Sequence, residues 1–186
     1  ETPDDFVFAV KASRYCTNRK ILAEAGTAIN RFLDQGLTEL GSKLGPINWQ
    51  LPSTKTFDPV DIAAFLSLLP TRRDSIALRH AVEIRNGSFA APEFYDLARK
   101  HGVAIVSARG DDFPEIDVAT AEFTYARLMS SREELESGLT DAEVEAISTQ
   151  VRSWSKRGDV FAYFIAGAKI RNPAAAQLLL HKLGQS

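Results

Sequence analysis

The sequence predicts an α/β fold in which about six parallel strands alternate with helices, as in a TIM-like barrel. Six short apolar runs, several rich in the Val, Ile, Phe and Tyr typical of strands, recur along the 186 residues. Helical patterns of roughly 10–15 residues separate most of them, which favours βαβ units and a parallel sheet. No low-complexity linker or internal repeat divides the sequence, so we predict a single domain over residues 1–186.

The predicted strands are residues 6–11, 47–51, 80–85, 103–108, 123–129 and 160–165. Between the first two, residues 24–41 place apolar side chains near helical spacing and predict one helix. Four further helices carry start signals, which are Asp58-Pro59, Pro92, Thr140 with Glu143 as a capping box, and Pro173. The stretch "GSKLGP" is predicted to be a helix end and turn.

Composition limits the classes of function that fit this chain. The formal net charge of −2 gives no overall attraction to nucleic acid or anionic membranes, although a local basic cleft remains open. Cys16 is the only cysteine, which excludes an intramolecular disulfide and suits the reducing cytoplasm. The sequence contains no run of about 18 apolar residues, so we predict no membrane span. The sequence starts without Met and almost directly on a strand pattern, so we expect a fragment or a processed chain.

The stretch "HAVEIRNGSF" places two charged residues, Glu83 and Arg85, in an otherwise apolar strand. Charged side chains are seldom fully buried unless they are paired. Strand residues two apart share a face, so Val82 and Ile84 are expected to pack on helices while Glu83 and Arg85 line the other face. We therefore expect both charges to lie outside the buried core, towards the carboxyl end of the strand.

Other predicted strands show the same division into an apolar face and a face that ends in polar residues. Their second faces also end in polar residues, which are Lys11, Gln50 and Arg127. Ligands of α/β folds bind at the carboxyl ends of parallel strands, where these side chains would meet. Three cations and one carboxylate leave a charge of +2, which suits a phosphate or carboxylate ligand held by Arg. Opposite charges should keep Glu83 ionised, to orient the cations or act as a base. Solvated turns and structural ion pairs are the competing interpretation.

Metal and aromatic sites receive less support from the sequence. His80, His101 and His181 are isolated and are expected to be structural or exposed. The carboxylates Asp111 and Asp112 would suit magnesium, but the pattern around them indicates a turn. We predict no cofactor and leave a divalent metal open. Four aromatic residues, Phe6, Phe8, Trp49 and Tyr163, are assigned to faces that pack on helices.

Five segments, taken in their order along the chain, resemble the domain-of-unknown-function family 72 (DUF72), the YecE-like proteins. The segments are "DFVFAVKASRYCTNRK", "LGPINWQLP", "HAVEIRNGSF", "HGVAIVSA" and "TYARLM". The resemblance covers essentially the whole chain and implies a TIM-barrel-like fold. Family members usually begin with two further βα units that this chain lacks. Six strands cannot close a standard barrel, so the resemblance implies an incomplete or open one, whose exposed edges would allow an oligomer to form.

The resemblance also indicates which polar positions are kept and which are lost. The matching positions are Lys11, Ser13, Gln50, Pro52, Glu83, Arg85 and Arg127. Where the family commonly has "THR", this chain has Thr17-Asn18-Arg19. The usual "R-L-H-G" is Arg127-Leu128-Met129-Ser130, so its His is lost. The usual "Y-F-N-N-D" corresponds to residues 163–167, which contain no amide or acid side chain. It also has Phe89 where the family often has Trp. These losses favour a cationic binding site over hydrolytic or metal chemistry.

The sequence thus predicts an anion-binding site that takes a phosphorylated or nucleotide-like ligand. Its expected ligand-binding residues are Lys11, Ser13, Gln50, Arg85 and Arg127, with Glu83 as a catalytic candidate. Whether the protein is an enzyme stays undecided at this stage. Two alternatives stay open: a non-catalytic binding or interaction module, and a nucleic-acid enzyme related to endonuclease IV, which the resemblance suggests by fold similarity alone.

Overall fold

A computed structural model describes residues 2–110, 113–165 and 167–184. The chain forms two compact units. Unit 1 holds the described residues of Glu1–Ile105 together with Val118–Ala121, and unit 2 holds those of Val106–Asp117 and Glu122–Ser186. Each unit combines a parallel sheet with helices, most of which connect successive strands, and this confirms the predicted α/β class and parallel β/α architecture.

Unit 1 is built on a four-stranded parallel sheet with the order β1-β2-β5-β6. Its strands are β1 Phe8–Lys11, β2 Leu44–Gln50, β5 His80–Glu83 and β6 Ala104–Ile105, and a separate antiparallel hairpin pairs β3 Arg72–Arg73 with β4 Ile76–Ala77. Its α-helices are α1 Arg14–Thr17, α2 Gly26–Leu33, α3 Pro59–Ser67 and α4 Pro92–Lys100, with 3-10 turns at Leu22–Glu24, Leu37–Lys43 and Gly87–Phe89.

Unit 2 contains the parallel sheet β7-β8-β9. Its elements are β7 Ser107–Arg109, β8 Thr124–Leu128, α5 Asp141–Ser155, β9 Val160–Phe164 and α6 Asn172–Leu183. The core of this unit packs α5 and α6 against β8 and includes Trp154, whose indole N–H donates to Asp117 at 2.9 Å. Thr140 and Glu143 form the predicted capping box at the start of α5.

Helix-start signals were reliable, but the helix predicted over residues 24–41 was wrong in its length. Asp58 accepts hydrogen bonds from the N–H groups of Val60 and Asp61, and Pro residues stand in the first turns of α3, α4 and α6 as predicted. The first long helix instead ends at Leu33. Gly36 follows with φ of +87°, a left-handed conformation that glycine adopts readily and that ends helices.

The stretch "GSKLGP" also departs from its prediction, because Leu44, Gly45 and Pro46 begin β2 rather than form a turn. A Cβ atom on Gly45 would lie 2.8 Å from the carbonyl oxygen of Phe8, so only glycine lets β1 and β2 approach this closely. Pro46 lies where the pairing register between the two strands shifts, which removes the need for its missing N–H.

Two aromatic side chains of the first predicted strand are exposed rather than packed on helices. Phe6 is 44% and Phe8 36% exposed, and their rings contact each other edge to face. Among the described residues, β1 is an edge strand of the unit 1 sheet and pairs with another strand on one side only. The edge of the sheet therefore leaves apolar surface open that the alternation of the sequence had assigned to the core.

Trp49 and His80 form a buried polar pair behind the unit 1 sheet. The indole Nε1 donates to Nδ1 of His80 at 3.0 Å, and Nε2 of His80 lies 2.7 Å from the carbonyl oxygen of Pro70. An indole is a donor only, so Nδ1 must accept and Nε2 must carry the proton that it donates to Pro70. Burial lowers the pKa of His80 below its usual 6.5, which keeps the ring neutral. The prediction of a structural role for His80 is confirmed.

His80 should make the stability of the protein depend on pH. Below pH 6.5 the unfolded chain binds a proton at His80 that the folded chain does not bind, since burial depresses the folded-state pKa. The free energy of unfolding is therefore expected to fall as the pH falls through 6.5 and to level off below the folded-state pKa. Urea unfolding across this range should show a smaller slope for His80→Asn. Equal slopes for the two proteins would contradict this role of His80.

Candidate functional site

Four polar residues at the carboxyl ends of β1, β2 and β5 form the strand-end cluster, which consists of Lys11, Gln50, Glu83 and Arg85. The parallel ladder places Gln50 opposite Glu83 and Lys11 opposite Asn48. Beyond the strand ends, the N–H of Leu51 still donates to the carbonyl of Glu83 at 2.9 Å. The backbone of unit 1 therefore holds these residues in a fixed register, as the sequence predicted for this part of the site.

Hydrogen bonds connect the strand-end cluster from Lys11 to Arg85. Nζ of Lys11 donates to Oε1 of Gln50 at 2.9 Å, and Nε2 of Gln50 donates to Oε1 of Glu83 at 2.7 Å. Nε and Nη2 of Arg85 reach the same carboxylate oxygen at 3.2 and 3.1 Å. Because Gln50 accepts from a cation and donates to an anion, its amide has one orientation only. The cluster therefore holds its two cations on either side of one carboxylate.

Glu83 corrects the expectation that both charged residues of "HAVEIRNGSF" lie outside the core. Its side chain is 0% exposed, whereas that of Arg85 is 27% exposed. β5 ends at Glu83, so Arg85 follows the strand rather than belonging to it. A buried carboxylate is tolerated because Asn48, Gln50 and Arg85 donate to it. Glu83 is thus the buried acceptor that the other side chains of the site share, and Arg85 carries the charge that is partly exposed to solvent.

Asn48 belongs to this site although sequence reasoning did not select it. Its Nδ2 donates to Oε2 of Glu83 at 3.0 Å, and the side chain is almost fully buried. Its Oδ1 accepts no hydrogen bond within the described part of the chain. Unpaired buried acceptors are uncommon and mark positions where a water or ligand donor would be favourable. The signal in the sequence was the two-residue spacing of Asn48 and Gln50 on one strand face.

Arg14 is a second residue that the sequence analysis had not included in the site. A cleft of about 230 Å³ lies beside the strand-end cluster, and Arg14, Gln50 and Arg85 all line it. Arg14 is exposed and begins α1, three residues after Lys11, the last residue of β1. Lys11 does not line this hollow, so Arg14 is the second cation of the cleft beside Arg85. The cleft therefore presents two guanidinium groups beside an amide, a combination that suits an anion.

The other predicted ligand-binding residues have different positions. Ser13 is the N-cap of α1, and its Oγ accepts from the N–H of Tyr15 at 3.2 Å. Arg127 lies on β8 in unit 2, half-buried and paired in register with Tyr163. The structure therefore brings four of the six predicted site residues together in unit 1. The roles of Ser13 and Arg127 in ligand binding stay predictions.

The nucleophilic and metal-binding candidates are spread through the fold. Burial raises the pKa of the Cys16 thiol, despite the opposing charge of Arg19, and the thiol donates to the carbonyl of Ala28 at 3.4 Å. Asp111 and Asp112 lie outside the described residues. Over residues 2–110, 113–165 and 167–184, no three His, Cys, Asp or Glu side chains are grouped as a metal site would need. Nor is any helix of these ranges long and apolar enough to cross a membrane.

Glu83 is expected to be essential for the stability of unit 1. Glu83→Leu would leave the donors of Asn48, Gln50 and Arg85 without their buried acceptor, at an expected cost of about 3–5 kcal/mol. Glu83→Gln preserves shape and one acceptor oxygen, so it should cost less, roughly 1–3 kcal/mol. Urea unfolding with Glu115→Gln as the exposed control would measure these costs. Equal stability of the Leu variant and the control would contradict the role given to Glu83.

The comparisons with known proteins concern the whole chain. The sequence profile described as "Protein of unknown function DUF72" matches residues 1–186. No curated protein matches. A DUF72 family protein from Thermotoga maritima MSB8 is 24% identical, with a TM-score of 0.70 over 97% of this chain and 74% of that one.

A DUF72 family protein from Enterococcus faecalis V583 is similar in fold. It is 17% identical, with a TM-score of 0.77 over 99% of this chain and 80% of that one. At these identities the two crystal structures support the fold alone, and both proteins are longer than this chain. The family match, by contrast, spans every residue of the sequence and agrees with the resemblance found in its motifs. The chain therefore belongs to the DUF72 family.

Proposed function

We propose that this protein binds a phosphorylated, nucleotide-like ligand in the cleft beside the strand-end cluster. The observation that carries the proposal is the pair of guanidinium groups, Arg14 and Arg85, that line one cleft with the amide of Gln50. Guanidinium groups bind phosphate and carboxylate oxygens through two parallel hydrogen bonds. The proposal depends on unit 1 alone.

The charge balance of the site supports an anionic ligand. Lys11, Arg14 and Arg85 carry three positive charges, and the carboxylate of Glu83 carries one negative charge. The carboxylate faces the protein interior, since it is wholly buried and accepts hydrogen bonds from the side-chain amides of Asn48 and Gln50. The charges that face the solvent are therefore the cations. A ligand carrying two negative charges, such as a phosphate monoester, would neutralise the excess.

A binding role is supported better than catalysis at Glu83. Oε1 of Glu83 already accepts from Gln50 and Arg85, and Oε2 accepts from Asn48. A general base needs a lone pair within reach of the proton that it removes, and this carboxylate is wholly buried. We infer that Glu83 orients Arg85 and Gln50, and that its catalytic role is the weaker alternative. A non-catalytic binding module is thus the form of the function favoured by this hydrogen bonding.

Calorimetric titration with inorganic phosphate and adenosine monophosphate tests the proposal. Arg14→Ala removes an exposed side chain and should weaken binding of both anions about tenfold, as expected for loss of a charge-assisted hydrogen bond. Arg85→Lys keeps the charge near Glu83 but removes the fork, and should weaken binding as well. Binding should also weaken as salt is added.

The matched control is Arg31→Ala, which removes an exposed arginine from α2, outside the cleft. Thermal melts establish that each variant is folded before it is titrated. Absence of heat with both anions, or identical affinities for the wild type, Arg14→Ala and Arg85→Lys, would refute the proposal.

A further inference from the structure

Three hollows surround residues 14–20, which comprise the short helix α1 and the loop that follows it, and together they form what we call the loop groove. The cleft of the proposed site, of about 230 Å³, is the first. A second, of about 420 Å³, lies along Arg14, Tyr15 and Arg19, and a third, of about 340 Å³, lies between Lys20 and Lys55. Asn18 lines all three hollows, so they adjoin one another at this residue. The binding surface therefore extends well beyond one phosphate group.

The charged residues that line the loop groove are all cationic. Its described lining residues include five cations and no carboxylate; the cations are Arg14, Arg19, Lys20, Lys55 and Arg85. Lys55 and Arg85 have acidic partners, Asp61 and Glu83, which lie behind the groove. The hydroxyl-bearing residues Ser53, Thr54 and Thr56 also line the groove. Cations interspersed with hydroxyls are the usual contacts of a sugar–phosphate chain.

An exposed aromatic ring lines the second hollow of the loop groove. Tyr15 is 72% exposed, and the guanidinium of Arg19 stacks on its ring at 5.3 Å from the centroid. Nε of Arg19 also donates to the carbonyl oxygen of Tyr15 at 2.9 Å, which holds the two side chains together. Exposed aromatic rings flanked by cations are the platforms on which single-stranded bases stack, and they accept any base.

The loop that carries these residues is anchored to α3. Asp61 of α3 accepts from the N–H groups of Leu22 and Ala23 at 3.0 and 2.8 Å. Lys55 contacts Asp61 and donates to the carbonyl oxygen of Lys20 at 2.8 Å. Burial opposes ionisation of Asp61, but the hydrogen bonds from Lys55, Ala23 and Leu22 prevail and lower its pKa. The groove is thus held in place before any ligand binds, which lowers the entropic cost of binding.

We propose that the ligand of this site is a single-stranded oligonucleotide that follows the loop groove, with a base stacked on Tyr15. The inference rests on the proposed anion site and extends it from one phosphate to several. One phosphate binds between Arg14 and Arg85, and the next phosphates follow Arg19, Lys20 and Lys55. A mononucleotide would use only one of the three hollows.

Fluorescence anisotropy with oligothymidylates of increasing length tests this proposal. Affinity should rise at least tenfold from a labelled dinucleotide to an octanucleotide, because the longer strand spans all three hollows. For single strands the slope of log K against log salt changes by about 0.7 per phosphate contact, so Lys20→Ala should reduce it by about that amount. Affinity that is independent of length would overturn the proposal.

Tyr15 provides the test that separates stacking from charge. Tyr15→Ala should weaken octanucleotide binding about tenfold and leave binding of inorganic tripolyphosphate unchanged. Tyr15→Phe keeps the ring and should restore the affinity for the octanucleotide, while Arg31→Ala serves as the exposed control. Equal loss of both ligands, or no loss with Tyr15→Ala, would overturn the assignment of a base to Tyr15.

The outcomes also separate this inference from the function on which it rests. If inorganic phosphate binds and depends on Arg14 and Arg85, but the octanucleotide binds no tighter than the dinucleotide, the anion site stands and the oligonucleotide groove is refuted. If phosphate does not bind and oligonucleotide affinity is indifferent to Arg14→Ala, both proposals are refuted.

Discussion

The buried carboxylate of Glu83 is the interaction on which the site in unit 1 depends. Its two oxygens receive hydrogen bonds from Asn48 and Gln50 of the neighbouring strand and from Arg85 two residues later. Each donor would be costly to bury alone, and so would the carboxylate. Together they fix the side chains of β2 and β5 relative to each other, and through Gln50 they also fix Lys11 of β1. One acidic group thereby organises the ends of three strands.

This arrangement divides charge between the inside and the outside of unit 1. The negative charge expected of Glu83 is directed into the fold, while Arg85 is partly solvated and Lys11 and Arg14 are exposed. A chain with a net charge of −2 can in this way present a locally cationic cleft. The same separation recurs at the loop groove, where Asp61 lies behind Lys55 and anchors the backbone at Leu22 and Ala23. In both places a carboxylate orients the cations that the solvent meets.

Apolar packing and polar bonding have separate positions on the unit 1 sheet. Trp49 and His80 pair on one face, where the rings of Phe32 and Phe65 pack edge to face against Trp49. Asn48, Gln50 and Glu83 meet on the other face. The two-residue alternation of β2 and β5 produces this division directly, because Trp49 lies between Asn48 and Gln50 along the strand. A shift of register by one residue would move the polar set into the apolar core.

The sequence by itself determined the features that depend on neighbouring residues. Alternating strand faces predicted that Lys11, Gln50 and Glu83 point the same way, and the caps at Asp58 and Thr140 predicted where helices begin, because both effects act within a few residues. Only the tertiary structure decided which charge is buried, since two of the three donors of Glu83, Asn48 and Gln50, come from a strand more than 30 residues earlier. It likewise exposed Phe8 at a sheet edge and brought Arg14 beside Arg85. Burial and long-range pairing depend on which strands become neighbours, and a local pattern does not contain that information.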